Sequence, residues 1–112
     1  MPETEPKEVL EYVRDDGKNP FREWLLSLEN TGARAQVRVR IARLRLGNFG
    51  DARSVGEGVN ELRLPIGPGY RIYFGRVGDK VVLLLCAGEK KTQRKDITRA
   101  KEYWRDYLGR ST

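Results

Sequence analysis

Two short segments place basic and phenolic side chains where they could act on a phosphodiester. In residues 59–66 and 70–74, apolar residues alternate with polar ones, as in half-buried strands. This alternation assigns Arg63, Arg71 and Tyr73 to one face of a predicted sheet, opposite the aliphatic residues. Guanidinium groups can hold the nonbridging oxygens of a phosphate through paired hydrogen bonds. A phenol or an ammonium group can move protons there if adjacent cations lower its pKa.

A cationic segment follows the apolar stretch 81–87. If that stretch is a central strand, it would mount the following loop rigidly and bring Lys90 and Lys91 to the rim of the same face. The alternative is that this face is simply the solvated side of an antiparallel sheet. Glu61 is the one carboxylate among these cations, and it could pair with an arginine in a purely structural role.

The composition excludes several other kinds of site. The chain has no histidine, so a Ser-His-Asp triad is impossible. With a single cysteine, Cys86, a typical zinc site is nearly excluded, and no internal disulfide can form. No segment has the full glycine pattern of a phosphate-cradling loop. We therefore expect neither a metal nor a cofactor.

The first half of the chain predicts a strand and two helices. Residues 7–13 form the predicted strand, and Asn19 followed by Pro20 predicts the start of a helix. Residues 33–46 fit a strand or a helix, but their uninterrupted length favours a helix. Because apolar residues fall on two sides of it, we expect it to be packed on both. Gly47 would end it.

The second half predicts three antiparallel strands and a final helix. The strands are residues 59–66, 70–74 and 80–87, joined by short turns. Thr92 would cap the last helix, and Gly109 would stop it. The predicted order is β-α-α-β-β-β-α, a single α+β domain over residues 1–112 with a mainly antiparallel sheet packed against helices.

Positive charge is concentrated after the first 30 residues. The 112-residue chain has a net charge of +6, with −4 in residues 1–30 and +10 in residues 31–112. This distribution favours a polyanion or an acidic protein as the partner, although a basic solvated surface is the alternative. Without a membrane-length apolar run or a signal-like segment, we expect a cytoplasmic protein.

The segments "VNELRLPIGPGYRIYF" and "KVVLLLCAGEKKTQRKDITRAKEYW" resemble the RelE/ParE toxin superfamily, and most closely its HigB-like branch of addiction-module killer proteins. The resemblance extends from about Val9 to Trp104 and implies the same element order as the one predicted above. It also implies the toxin of a type II toxin–antitoxin system. Many such toxins are metal-independent, ribosome-dependent mRNA endonucleases in which the ribose 2′-OH attacks the adjacent phosphate.

The resemblance also implies roles for individual residues. Arg71 matches the arginine that braces the phosphate, and Arg63 matches a basic residue on the preceding strand. Lys90 falls where relatives carry an arginine, and Asp96 lies near the position of a catalytic tyrosine that this chain lacks. Tyr73 is a substitute for that tyrosine only if its hydroxyl reaches the cleft in which the RNA phosphate would bind. The expected RNA-binding residues are Lys91, Arg94, Lys95, Arg43 and Arg45.

A cognate antitoxin is the implied protein partner, commonly one with a helix-turn-helix DNA-binding domain. We expect it to cover the arginine-rich helix or the cleft, with acidic side chains. Two alternatives remain open on the same fold. One is a ParE-like inhibitor of DNA gyrase, and the other is a catalytically decayed module that only binds its antitoxin.

Overall fold

A five-stranded sheet with helices on both faces forms the protein, as described for residues 5–110 by a computed structural model. The strands follow the order β1-β5-β4-β3-β2, with β1 parallel to β5 and all other pairs antiparallel. This architecture confirms the α+β class. The elements are β1 (Glu8–Glu11), α1 (Pro20–Ser27), α2 (Thr31–Arg45), β2 (Ala52–Gly56), β3 (Val59–Leu64), β4 (Tyr70–Val77), β5 (Val81–Glu89), a 3₁₀ turn (Lys90–Thr92) and α3 (Gln93–Arg110).

Strand β2 was not predicted, so the predicted element order is wrong between α2 and β3. Four consecutive antiparallel strands, β2 to β5, follow the two helices, instead of three. The sequence of β2, ARSVG, is short and contains no buried residue. It lies at the edge of the sheet, where backbone pairing with β3 forms the strand without an apolar alternation.

The two N-terminal helices cover one face of the sheet. Asn19 accepts a hydrogen bond from the Arg22 backbone at 2.9 Å, and Asn30 caps α2 in the same way, so both helices begin at side-chain caps. The buried residues of α1 and α2 pack against the even-numbered positions of β3 and β4. They are Phe21, Leu25, Ala33, Val37, Ile41 and Leu44.

The expectation that α2 is packed on two sides is wrong. Its second apolar stripe faces solvent, with Val39 48% and Leu46 65% exposed, and Ala35 and Ala42 are exposed as well. Only one layer of the protein, the sheet, is available to α2 as a large packing surface, because α3 lies on the opposite face. The outer side of α2 is therefore an apolar stripe flanked by arginines.

Helix α3 covers the other face of the sheet. Ala100 and Trp104 pack there against Val59, Tyr73 and the odd side of β5. The backbone of Gly75 lies so close to Trp104 that a Cβ at this position would be 2.4 Å from the indole ring. Helix α3 thus covers the face that carries Tyr73, so the alternative of a solvated sheet face is wrong there, although the side chains of Arg53 and Arg63 remain 55% and 35% exposed.

The boundaries of α3 differ slightly from those predicted. The chain enters the helix through the 3₁₀ turn, in which Thr92 and Glu89 form a reciprocal capping box. The helix continues through Gly109 to Arg110 and does not stop at the glycine. Within residues 5–110, no helix is long and apolar enough to span a membrane.

Candidate functional site

A buried carboxylate lies at the centre of the predicted site. Glu61, on β3, is 0% exposed and accepts hydrogen bonds from Gln93 Nε2 at 2.7 Å and Tyr73 Oη at 3.1 Å. Arg63 Nε donates to its other oxygen at 3.2 Å. Arg53 Nε and Arg71 Nε lie at 3.4 and 3.6 Å. We call these six residues, Arg53, Glu61, Arg63, Arg71, Tyr73 and Gln93, the Glu61 cluster.

The strand register explains why the cluster forms. Glu61 lies opposite Arg53 on β2 and opposite Tyr73 on β4, so three side chains project side by side on the face that α3 covers. Arg63 and Arg71 are also directly opposite each other, two residues along each strand from the pair of Glu61 and Tyr73. The sequence alternation correctly placed Arg63, Arg71 and Tyr73 on one face.

Three arginines around one carboxylate give the cluster an excess of positive charge. Three guanidinium groups surround one carboxylate, which leaves a net charge of +2 before Lys90 is considered. Although burial raises it, the hydrogen bonds from Gln93, Arg63 and Tyr73 and the charge of Arg71 hold the pKa of Glu61 below its usual 4.5. The carboxylate is therefore ionised at neutral pH.

Arg71 is almost fully enclosed, with 7% of its surface exposed. Its Nη1 donates to the carbonyl of Gly69 at 3.4 Å, whereas its buried Nε has no hydrogen-bond partner within the described residues. The 3.6 Å distance to Glu61 is an ion-pair contact and is too long for a hydrogen bond. A buried arginine with unused donors suits an anionic ligand.

Lys90 lies beside Arg71, as expected. Both residues flank Gly69, where an added Cβ would be 3.5 Å from the Lys90 Cβ and 3.7 Å from Arg71 Nη1. Gly69 has a φ of +81°, so the tight turn between β3 and β4 also requires a glycine at this position. Lys90 is exposed, and its Cβ lies beside this turn at the rim of the cluster.

Tyr73 belongs to the cluster but does not reach a cleft. It is 0% exposed, and its hydroxyl is committed to Glu61. Burial, together with the adjacent negative charge of Glu61, raises the pKa of the phenol well above its usual value. The hypothesis that Tyr73 serves as a proton-transferring group is therefore not supported by its position.

Asp96 is buried on the same side of the sheet, next to the β5 partner of Arg71. That partner is Gly88, where an added Cβ would lie 1.9 Å from Asp96 Oδ2. Thr92 Oγ1 donates to the same oxygen at 2.6 Å. Burial raises the pKa of Asp96 above its usual 3.8, despite this hydrogen bond and the nearby Arg99 and Lys95.

The predicted RNA-binding residues do not form one surface. Lys91 and Lys95 line a cavity of about 300 Å³ that Asp96 also borders, and Lys91 lies 3.6 Å from Glu89. Arg94 is exposed on the first turn of α3. The two arginines from α2 are separated from this region.

Arg43 and Arg45 lie on different flanks of α2. Arg43 lines a groove of about 420 Å³ between α2 and the end of β3, together with Arg40 and Val39. Arg45 lines a second cavity, of about 220 Å³, with residues of β1 and α1. A helix carries successive arginines around its axis, so residues close in sequence need not share a surface.

Sequence reasoning missed two members of the cluster. Arg53 lies in the unpredicted strand β2, and its role depends on the pairing of that strand with β3. Gln93 is 32 residues from Glu61 in the chain, and only the packing of α3 against the sheet brings them together. Gln93 lies within the cationic run, between Lys91 and Arg94, but an uncharged amide carries no comparable signal.

No protein-family model matches the chain. A protein of Haemophilus influenzae is 49% identical over 81 residues, which are 72% of this chain and 82% of the relative. The chain belongs to the same family as that protein. The relative is described as an uncharacterized protein, so membership of this family assigns no activity. The chemical arrangement of the site is therefore the basis for a functional proposal.

Proposed function

We propose that the protein is a RelE-like toxin of a type II toxin–antitoxin system and cleaves mRNA on the ribosome without a metal. The observation that carries the proposal is the side-by-side placement of Arg63 and Arg71, with Lys90 at the rim. Their unused donors suit the nonbridging oxygens of a phosphodiester. The resemblance of the sequence to the HigB-like branch supports the same activity.

The reaction would be an internal transfer at phosphorus. The ribose 2′-oxygen forms a bond to the adjacent phosphorus, and the bond from phosphorus to the 5′-oxygen breaks, leaving a cyclic phosphate and a 5′-OH. Arg63 and Arg71 would stabilise the charge that develops on the phosphoryl oxygens. Lys90 would supply the proton that the departing 5′-oxygen needs.

Asp96 is the group we propose for accepting the 2′-OH proton. It lies over Gly88, directly across from Arg71 in the strand register, and it borders a cavity. Its raised pKa makes the carboxylate a stronger base than an exposed aspartate. Lys91 in the 3₁₀ turn, and Arg94 and Lys95 at the start of α3, would contact the RNA backbone.

The proposed protein partner is a cognate antitoxin that covers the outer side of α2. That helix carries five arginines and no acidic residue, and it exposes Val39 and Leu46. An acidic, amphipathic segment would match both the charge and the apolar stripe. A helix-turn-helix DNA-binding domain elsewhere in the antitoxin remains part of this proposal. We place both proteins in the cytoplasm.

A second candidate function is inhibition of DNA gyrase, without RNA cleavage. It is favoured by the complete burial of Tyr73, which leaves the site without an accessible phenol, in a chain that also has no histidine. A supercoiling assay with purified gyrase and no ribosomes distinguishes the two functions. Inhibition in that assay supports gyrase as the target.

The proposed nuclease is tested by inducing the chain in bacteria and mapping RNA 5′ ends. We compare wild type with Arg71→Ala, Lys90→Ala and the control Arg76→Ala. Arg76 is an exposed arginine of the same strand that lies over the Phe49 ring, 4.5 Å from its centroid, away from the cluster. Wild type and the control should produce new ends within translated messages.

Arg71→Ala should remove the new ends and the growth arrest, because one phosphate ligand is lost. Lys90→Ala should weaken both. Growth arrest without new RNA ends would contradict the nuclease. A wild type that leaves growth unaffected would instead indicate a decayed module that only binds its antitoxin.

A further inference from the structure

We infer that Glu61 is a positioning residue that orients the arginines for phosphate binding. This inference rests on the proposed function and assigns a role to a carboxylate that makes no contact with the substrate. Glu61 is 0% exposed and lies under the arginines, so an RNA strand cannot reach it.

Each of the three arginines contacts Glu61 through the same edge of its guanidinium group. Arg53, Arg63 and Arg71 each approach the carboxylate through Nε, at 3.4, 3.2 and 3.6 Å. The terminal nitrogens of Arg63 make no hydrogen bond within the described residues, and Arg71 uses only Nη1, for the Gly69 carbonyl. The remaining terminal donors are therefore available for a ligand while the inner edge is fixed.

Electrostatics explain why the arginines need this carboxylate. Like charges directly opposite each other in a sheet repel, and Arg63 faces Arg71 in the register. Glu61 lies between their Nε atoms, one on each of its two oxygens. Without the negative charge, the two guanidinium groups would separate and lose their shared orientation.

Tyr73 and Gln93 fix the carboxylate itself. They donate to the same oxygen at 3.1 and 2.7 Å, from β4 and from the start of α3. A carboxylate held from two further elements has little rotational freedom, and it transmits that rigidity to the arginines. Rigid placement of the groups that bind a phosphate raises the reaction rate more than it raises the binding affinity.

The test compares wild type, Glu61→Gln and the control Glu57→Gln, whose carboxylate pairs with Lys101 and Arg105 at the surface. The first readout is the NMR spectrum of the arginine Nε–Hε groups in the free protein. The second is affinity for a short single-stranded RNA. The third is the rate of mRNA cleavage in a reconstituted translation system, per folded molecule.

In wild type, the Hε protons of Arg63 and Arg71 should exchange at least about tenfold more slowly than that of exposed Arg94, because Arg63 Nε donates to Glu61 and Arg71 Nε is buried beside it. In Glu61→Gln their signals should move towards the position of exposed arginines. RNA affinity should stay within about threefold of wild type because a negative charge is removed, while cleavage falls at least about tenfold. Glu57→Gln should match wild type in all three.

Wild-type Hε exchange as fast as that of Arg94 would overturn the inference, even if Glu61→Gln fails to fold. Unchanged arginine signals in Glu61→Gln, unchanged cleavage, or an equal loss of affinity and cleavage would also overturn it. If wild type cleaves no RNA, the proposed function fails, whereas the NMR comparison still decides whether Glu61 orients the arginines.

Discussion

The Tyr73 hydroxyl donates a hydrogen bond to Glu61 Oε2 at 3.1 Å, and both side chains are completely buried. The two residues lie opposite each other on β4 and β3, beneath α3. This pairing makes the phenol part of the support for the arginines and removes it from the surface that a substrate could reach. The reactive part of the site is consequently formed by the arginines, Lys90 and the neighbouring Asp96.

Tyr73→Phe should lower the stability of the protein without removing its toxicity. Loss of a hydrogen bond to a buried carboxylate should lower the free energy of unfolding by about 1.5–3 kcal/mol, measured by urea denaturation. Growth arrest on induction should persist, because the phenol transfers no proton. Tyr70→Phe is the control, since the Tyr70 hydroxyl makes no hydrogen bond within residues 5–110, and it should lose less stability. A folded Tyr73→Phe protein that loses more RNA cleavage than Glu61→Gln would show that the hydroxyl takes part in the reaction beyond its support of Glu61.

The sequence predicted which residues share the sheet face of the Glu61 cluster, but it did not predict that a helix covers that face. Alternation with a period of two fixes which residues share a face, and it placed Arg63, Arg71 and Tyr73 together correctly. It cannot tell whether a distant helix covers that face. The burial of Tyr73 depends on Trp104 and Ala100 of α3, which are about 30 residues away in the chain.

The helices show the same division between local and tertiary information. Capping by Asn19 is a local signal, and the start of α1 at Pro20 was predicted correctly. The exposed stripe of α2 was predicted to be buried because apolar periodicity indicates a surface that seeks a partner without identifying one. Strand β2 carries no periodic signal and forms only because β3 offers an unpaired edge.

Gly88→Ala should destabilise the protein by displacing Asp96. The new methyl carbon would be 1.9 Å from Asp96 Oδ2, 2.8 Å from its Cγ and 2.9 Å from Thr92 Oγ1, so these side chains must move. We expect a loss of about 1–3 kcal/mol in the free energy of unfolding. Gly109→Ala should instead gain up to about 1 kcal/mol, because its Cβ would meet nothing within 4 Å in a helix.

The contact between Gly88 and Asp96 can be isolated with a double-mutant cycle. Adding Asp96→Ala to Gly88→Ala removes the shortest contact and leaves the one with Thr92 Oγ1 at 2.9 Å, so the double variant should recover at least about 0.5 kcal/mol relative to additivity. Strictly additive losses would mean that contact with Thr92, and not with Asp96, causes the destabilisation.

Stability should fall with acidification in a way that depends on Glu61. Its pKa in the folded state is below the usual 4.5, so the unfolded chain binds a proton more readily in that range. The stabilisation is complete above pH 4.5 and is lost as the pH falls through the folded-state pKa. Glu61→Gln should lack this loss, so the stability difference between the two proteins should narrow on acidification.

The pKa of Asp96 shifts in the opposite direction from that of Glu61, but it does not affect the comparison of wild type with Glu61→Gln. Its raised pKa means that protonation favours the folded state, so its contribution to stability falls as the pH rises. Both proteins retain Asp96, and its effect cancels in their difference. Urea denaturation of both at a series of pH values gives the comparison, and a constant difference across the acidic range would contradict the assignment to Glu61.

The exposed stripe of α2 should be the surface that the antitoxin needs. Val39→Asp and Leu46→Asp each place a negative charge among arginines on a surface that is already in solvent, so folding should be unaffected. An acidic, apolar partner would bind each variant at least about tenfold more weakly, a change of about 1.4 kcal/mol. Leu26→Asp is the matched control, because Leu26 is 57% exposed but lies on α1. Calorimetric titration with the cognate antitoxin measures the change, and co-expression shows whether growth is still rescued. Equal neutralisation of all three variants would place the antitoxin elsewhere on the protein.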